Sequence, residues 1–302
     1  VTVLVVGEAL VDLIVSPDGG LEAVPGGGPF NLARTAARLG VRTAFGGGIS
    51  PDVFGRRIAG LLEADGVATP VAERSGLPTT LALAELDSGG AASYTFYLDG
   101  TAAAELHDGD VVIGDDVEIL AVGTLGLVAE PIATTVEALV ATAPDQVLVF
   151  VDPNCRPTII RDDAGYRARL DRVLRRADVV KVSGDDLAYL DPTGDPVEVA
   201  RRLLRHGPSV VLFTDGGDSV RIFAGDTEIV VPVPGVEVVD TVGAGDAFGG
   251  AFLAFWHLAG HHRDDLGDLD KVRDAVARAI VVAGITCSRA GANPPHLEEL
   301  PA

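Results

Sequence analysis

Short apolar runs, each followed by a longer stretch with a helical apolar period, recur from one end of the chain to the other. The runs Val3–Val6, Thr43–Phe45, Ile119–Val122, Val147–Val151, Val179–Val182 and Val210–Phe213 are continuous rather than alternating. That is the pattern of strands buried on both faces. The stretches Asn31–Leu39, Val53–Ala64, Ile132–Ala141, Tyr166–Ala177, Val197–His206, Asp246–Leu258 and Val272–Cys287 read as helices. This β-α repetition predicts a three-layer α/β/α arrangement with a mainly parallel sheet. At 302 residues the chain can bury such a core as one large domain, or as one domain with a small appendage.

Two regions break the rhythm. Leu10–Ser16 and Thr79–Tyr97 carry alternating and β-branched or aromatic residues with no helix between the strands. Leu81–Asp87, a turn at Ser88-Gly-Gly90 and Ser93–Tyr97 predict a hairpin. These strands fit a small sheet projecting as a lid, or equally an antiparallel edge extension of the main sheet.

Charge narrows the partners. A formal net charge of -21 argues against nucleic acid and against an anionic membrane, both of which require a basic face. A phosphorylated ligand would therefore need local donors and a metal ion rather than the overall field. Two cysteines, Cys155 and Cys287, are too few for a disulfide framework. No segment has the apolar length of a membrane span, and Val1–Val6 reads as a buried strand rather than a secretion signal, so a cytoplasmic protein is expected.

Three glycine clusters are candidates for ligand contact. Gly243-Ala-Gly-Asp246 runs straight into the apolar stretch Ala247–Trp256. Glycines at a helix start let backbone N–H groups converge on an anion, with the helix dipole adding positive charge. A tight turn explains the glycines equally well, and the acid fits a plain helix cap. Gly26-Gly-Gly-Pro-Phe-Asn31 precedes a helix closed at Gly40, with Asn31 either a ligand contact or a cap. Gly46-Gly-Gly48 indicates a turn. The Gly243 loop lacks the Lys-Ser/Thr ending of a P-loop, and Phe248 stands where a dinucleotide fingerprint needs glycine.

Taken in order, these segments resemble the PfkB (ribokinase-like) family of carbohydrate kinases over almost the whole chain. The matching segments are Gly7–Asp12, Gly26–Asn31, Ile49–Gly55 with Gly66-Val67, Asp152-Pro-Asn-Cys-Arg156, Lys181–Asp186, Thr214-Asp-Gly-Gly217 and Asp240–Phe248. The resemblance implies a ribokinase-like fold: a single kinase domain over 1–302 with lid strands within 10–18 and 78–100. It implies ATP as phosphate donor with Mg2+, K+ in many relatives, and a small sugar as acceptor. By the same resemblance Asp246 is the catalytic base, with Gly243, Ala244 and Gly245 forming an anion hole. Asp12, Gly27, Gly28, Asn31, Phe96 and Arg156 contact the sugar. Lys181, Ser183, Thr214, Gly216, Gly217, Gly243, Gly245 and Asn293 contact ATP, with the adenine along Val282–Asn293. Asp186 reaches Mg2+ through water, and Asp240 with the Val242 carbonyl holds a monovalent cation.

One departure stands out: Ser183-Gly-Asp-Asp186 occupies the place of the family's Asn-x-x-Glu, so the carboxylate sits on a shorter stem. A helix N-terminus favours such acids in any case. In motif style Gly7–Asp12, Asp152–Arg156 and Thr286–Pro295 are most similar to fructokinases, with D-fructose phosphorylated at its 6-hydroxyl. Kinases of 2-keto-3-deoxygluconate are the nearest alternative, but they commonly carry Arg where this chain has Leu98. Ribokinase-type specificity and a sugar sensor without catalysis are further alternatives. Relatives pair through their lids, so a homodimer is expected there. Tyr94, Phe96 and Tyr97 either supply its contact area or cover the substrate.

Overall fold

The computed structural model describes residues 2–16, 18–71, 76–86 and 92–301. In chain order the first elements are β1 (Val3–Val6), β2 (Leu10–Val15), β3 (Leu21–Gly26), α1 (Gly28–Arg38), β4 (Thr43–Gly46) and α2 (Val53–Ala64). Then come β5 (Leu81–Leu86), β6 (Ala92–Tyr97), β7 (Ile119–Gly123), α3 (Ile132–Thr142), β8 (Leu148–Asp152) and α4 (Asp163–Leu174). The chain continues through β9 (Val179–Ser183), α5 (Gly184–Leu190), α6 (Pro196–Leu203), β10 (Val210–Asp215), β11 (Ser219–Ala224) and β12 (Thr227–Pro232). It ends with α7 (Ala244–Leu258) and α8 (Leu269–Cys287).

The larger sheet has the order β12-β11-β10-β9-β8-β7-β1-β4. From β4 to β10 every pairing is parallel; β10-β11 and β11-β12 are antiparallel. Alternate residues of each strand feed opposite cores, as a pleated strand requires. Val3, Val5, Ala121 and Phe150 pack with α1, α7 and α8. Leu4, Val6, Val122 and Val149 pack with α3, α4 and α6. Helices therefore cover both faces, as the continuous apolar runs require.

Helix α7 lies within its core, and Ala247 through Trp256 are all buried. A helix apolar all round has no solvent face to show. Phe252 and Trp256 stack with ring centroids 6.0 Å apart. At Gly250 a Cβ would stand 2.6 Å from the Leu32 carbonyl oxygen of α1, so only glycine lets the two helices approach so closely. That approach sets the N-terminal ends of α1 and α7 side by side.

The second sheet has the order β3-β2-β5-β6. It is separate from the first, which decides between a lid-like sheet and an edge extension. The predicted β5–β6 pairing is present and antiparallel, while its turn at residues 88–90 lies outside the described residues. Strand β3 lies beyond the expected lid segments and joins through β2. The β11–β12 hairpin was also not anticipated; its signal was the Gly225-Asp226 turn, with Gly225 at a φ of 54°. Among the described residues no helix is long and apolar enough to cross a membrane.

Candidate active site

The C-terminal ends of β1, β7, β8 and β9 open toward the paired N-termini of α1 and α7, the edge where open parallel sheets bind ligands. Gly243 caps α7 in a left-handed conformation, φ 75°, and contributes no side-chain cap bond. A Cβ there would also stand 2.5 Å from Cβ of Ala292. Asp246 is therefore the third helical residue and not the cap. Its carboxylate oxygen Oδ2 accepts from Asn31 Nδ2 at 2.9 Å. Burial holds the Asp246 carboxyl above the usual aspartate range, against the Asn31 hydrogen bond and the charges of Lys181 and Arg156.

In the same loop the N–H of Ala244 donates to the Thr241 carbonyl at 3.2 Å. No acceptor is recorded among the described residues for the N–H groups of Gly243 and Gly245. Lys181 lies beneath this turn. It is buried in β9, pairs with Asp152 Oδ2 at 2.9 Å, and its Nζ is 2.9 Å from where a Cβ of Gly245 would be. Burial pushes the Asp152 carboxyl up even beside that ammonium, and its Oδ1 has no partner among the described residues.

On the opposite wall, α1 begins at Gly28 and is capped by Gly27 at φ 113°. Asn31 is consequently inside the first turn rather than a cap. It is buried, gives its amide to Asp246, and keeps Oδ1 without a partner among the described residues. Strand register sets Asp12, Ala82 and Phe96 across three strands of the small sheet, on one face. Leu10 and Ala82 on that face are buried against Leu125, with Phe96 and Leu98 packed on them. Burial, helped by the charge of Asp246, pushes Asp12 up to about 6, with Arg156 opposing. The charge of Arg156 opposes the rise at both Asp12 and Asp246, and its Nη1 donates to the Cys155 carbonyl at 3.2 Å. Tyr94 stacks on Phe96 at 6.2 Å on this face, while Tyr97 alternates to the other and is 55% exposed.

The remaining expected residues fall around this centre. Thr214 is in register with Ser183 at the end of β10, and its hydroxyl donates to the Val182 carbonyl at 3.3 Å. Gly216, at φ 53°, and Gly217 form the β10–β11 turn, where added Cβ atoms would meet only open space. Asp240 Oδ1 accepts from Val242 N at 3.0 Å and Oδ2 from Gly291 N at 2.9 Å, tying the loop before α7 to the one after α8. Asn293 follows Ala292, which packs on Gly243, and its Oδ1 accepts from Arg38 Nη1 at 2.8 Å, at the end of α1 opposite Gly28.

Asp186 is engaged throughout. Oδ1 accepts from Cys155 N at 2.5 Å, and Oδ2 accepts from Ser183 N at 2.7 Å and Ser183 Oγ at 2.6 Å. The N–H of Asp186 in turn donates to Ser183 Oγ at 3.3 Å, completing a capping box on α5. The carboxylate expected to approach a metal is 1% exposed and bonded on both oxygens. No group of three or more His, Cys, Asp or Glu side chains suited to hold a metal occurs among the described residues.

Three contributors carried no role in the sequence reading. Glu8 is buried and bonds the N–H groups of Gly28 and Leu125. Thr124 and Asn154 follow β7 and β8 with φ of 50° and 39°, a conformation that costs non-glycine residues energy and gathers at functional sites. Asn154 Nδ2 and Thr124 Oγ1 lie 3.5 Å apart. The sequence signal for Glu8 was its place in the matching segment Gly7–Asp12, an acid one residue beyond an apolar strand.

The family profile described as "pfkB family carbohydrate kinase" matches residues 2–300. A fructokinase of Rhizobium leguminosarum bv. trifolii is 35% identical over 257 residues, covering 83% of this chain and 78% of that protein. A Xylella fastidiosa fructokinase with bound ATP superimposes with a TM-score of 0.88 at 27% identity, covering 99% of this chain and 95% of the other. The Vibrio cholerae O395 fructokinase in its fructose-, ADP- and calcium-bound form gives 0.86 at 27% identity, covering 96% and 94%.

Proposed function

Because the chain belongs to the pfkB family of carbohydrate kinases, we propose that it is an ATP-dependent fructokinase that converts D-fructose to fructose 6-phosphate. The observation that carries the chemistry is the Asp246 carboxylate, held by one side-chain bond at the mouth of a glycine turn. The 6-hydroxyl oxygen of the sugar attacks the γ-phosphorus of ATP, and its proton passes to Asp246. The new O–P bond forms as the bond to the β,γ-bridging oxygen breaks, releasing ADP.

Such a transfer needs in-line positioning and compensation of charge on the phosphoryl oxygens. The unengaged N–H groups of Gly243 and Gly245, the dipole of α7 and the Lys181 ammonium beneath Gly245 supply that compensation here. Asp12, Asn31, Arg156 and the Gly27–Gly28 backbone hold sugar hydroxyls, with Phe96 over the ring. Thr214, Gly216 and Gly217 line the nucleotide side.

The donor set fits a Mg2+ carried mainly by the ATP phosphates and water, which would neutralise their charge when bound. Asp152 Oδ1 is the unpartnered carboxylate oxygen that suits a water of such an ion, while Asp186 supports it by fixing the Cys155 and Ser183 backbone. Asp240 holds the loop in which the Val242 carbonyl would meet K+. Tyr97, exposed on the far face of the small sheet, suits a homodimer through that sheet. Coupled ADP release measured over fructose, ribose, 2-keto-3-deoxygluconate and nucleosides tests the substrate. Fructose is expected to give the highest kcat/KM; faster turnover of another acceptor overturns the assignment.

A further inference from the structure

Glu8 is a carboxyl group the phosphoryl transfer does not use. It follows β1 through Gly7 and is 1% exposed. Oε1 accepts from Gly28 N at 3.3 Å and Oε2 accepts from Leu125 N at 3.2 Å. Gly28 N is one of the N–H groups that a helix start leaves without an intrahelical acceptor. Leu125 N belongs to the short turn Thr124–Leu127 after β7. One side chain thus joins the end of β1, the start of α1 and the β7 turn.

These are the backbone segments that face Asp246. The place of a Cβ on Gly28 lies 2.7 Å from Thr124 Oγ1 and 3.2 Å from Asp246 Oδ1, so the three are packed with no side chain between them. Thr124 holds a positive φ that its neighbours must sustain. Left without Glu8, the buried N–H of Leu125 and the partly buried N–H of Gly28 would lose their acceptor, and the gap between Gly28 and Thr124 would lose the bond that fixes its width.

We infer that Glu8 is a positioning residue for the sugar acceptor: by holding Gly28 and Leu125 together it sets the Gly26–Asn31 loop at the height from which a sugar hydroxyl meets Asp246. The inference rests on the kinase reading for its kinetic consequence, but the clamp itself is testable without turnover. Glu8→Gln keeps one carbonyl oxygen and turns an amide against the other N–H, so it should retain about half of the clamp. Glu8→Ala removes both bonds.

The experiment compares wild type, Glu8→Gln and Glu8→Ala by amide hydrogen exchange and by steady-state kinetics. Peptides covering 26–31 and 124–127 should exchange faster in both variants, more so in Glu8→Ala, with the start of α7 unchanged. The KM for fructose should rise about tenfold in Glu8→Ala and less in Glu8→Gln, while the KM for ATP stays within about twofold. Unchanged exchange in both peptides, or a parallel rise in both KM values, overturns the inference. A wild type that phosphorylates no sugar would instead refute the kinase reading, and the exchange result would still decide the clamp.

Discussion

Helices α5 and α7 each begin with an aspartate at their third residue, and the two acids have opposite fates. Asp186 follows Ser183, whose hydroxyl and N–H both bind it, and Cys155 N takes its second oxygen. Asp246 follows Gly243, which has no side chain to offer, and receives one side-chain bond, from Asn31 on another helix. The same local position gives a structural clasp in one case and a carboxylate with one side-chain partner in the other. What separates them is the N-cap residue: a serine closes the capping box, and a left-handed glycine leaves the box open. Whether an acid at a helix start is left available is set by its local partners, not by its position alone.

The comparison breaks most readily at the two carboxylates. Asp246→Asn should lower turnover about 10³-fold while fructose affinity, read by isothermal titration, changes little. Asp186→Ala should act on stability instead, lowering unfolding free energy in urea by about 1–3 kcal/mol because Cys155 N and Ser183 N lose their acceptor in a buried place. A variant at 186 with full stability and no activity would reverse the two assignments. Gly245→Ala sharpens the contrast at the open box. Its methyl would meet Lys181 Nζ at 2.9 Å, displace the ammonium, and reduce kcat/KM about tenfold with unchanged Tm.

The smallest effect concerns a third helix start. Asp52 is itself the N-cap of α2, accepting from Phe54 N and Gly55 N, and it also binds Thr79 N and Oγ1 just before β5. Asp52→Ala should cost about 1 kcal/mol in denaturant unfolding, with fructose KM raised only slightly.

Much of the larger sheet was legible because a strand buried on both faces must be apolar without interruption, as in Val3–Val6 and Val147–Val151. Strands β11 and β12 were not, since an edge hairpin with one wet face shows only weak alternation around Gly225-Asp226. Helix α1 starts at Gly28, three residues before its expected start, because Gly27 rather than Asn31 makes the cap. The contrast between Asp186 and Asp246 was readable in principle: Ser183-x-x-Asp186 is a capping-box pattern and Gly243-x-x-Asp246 is not. The contacts of Glu8 with Gly28 and Leu125, and of Arg38 with Asn293, were not readable. They join residues 20 to 255 positions apart, and no local pattern records them.

The most direct test of Asp246 as the base is the pH dependence of kcat for fructose in the wild type and in Asn31→Ala. A base must be ionised, so activity falls as pH drops through its pKa. Burial holds that pKa above the ordinary aspartate value, so the acid limb of the wild type should lie above it. The Asn31 hydrogen bond pulls the other way, so removing it should move the limb to still higher pH. A limb at the ordinary aspartate value, or one that does not move in Asn31→Ala, would contradict the account.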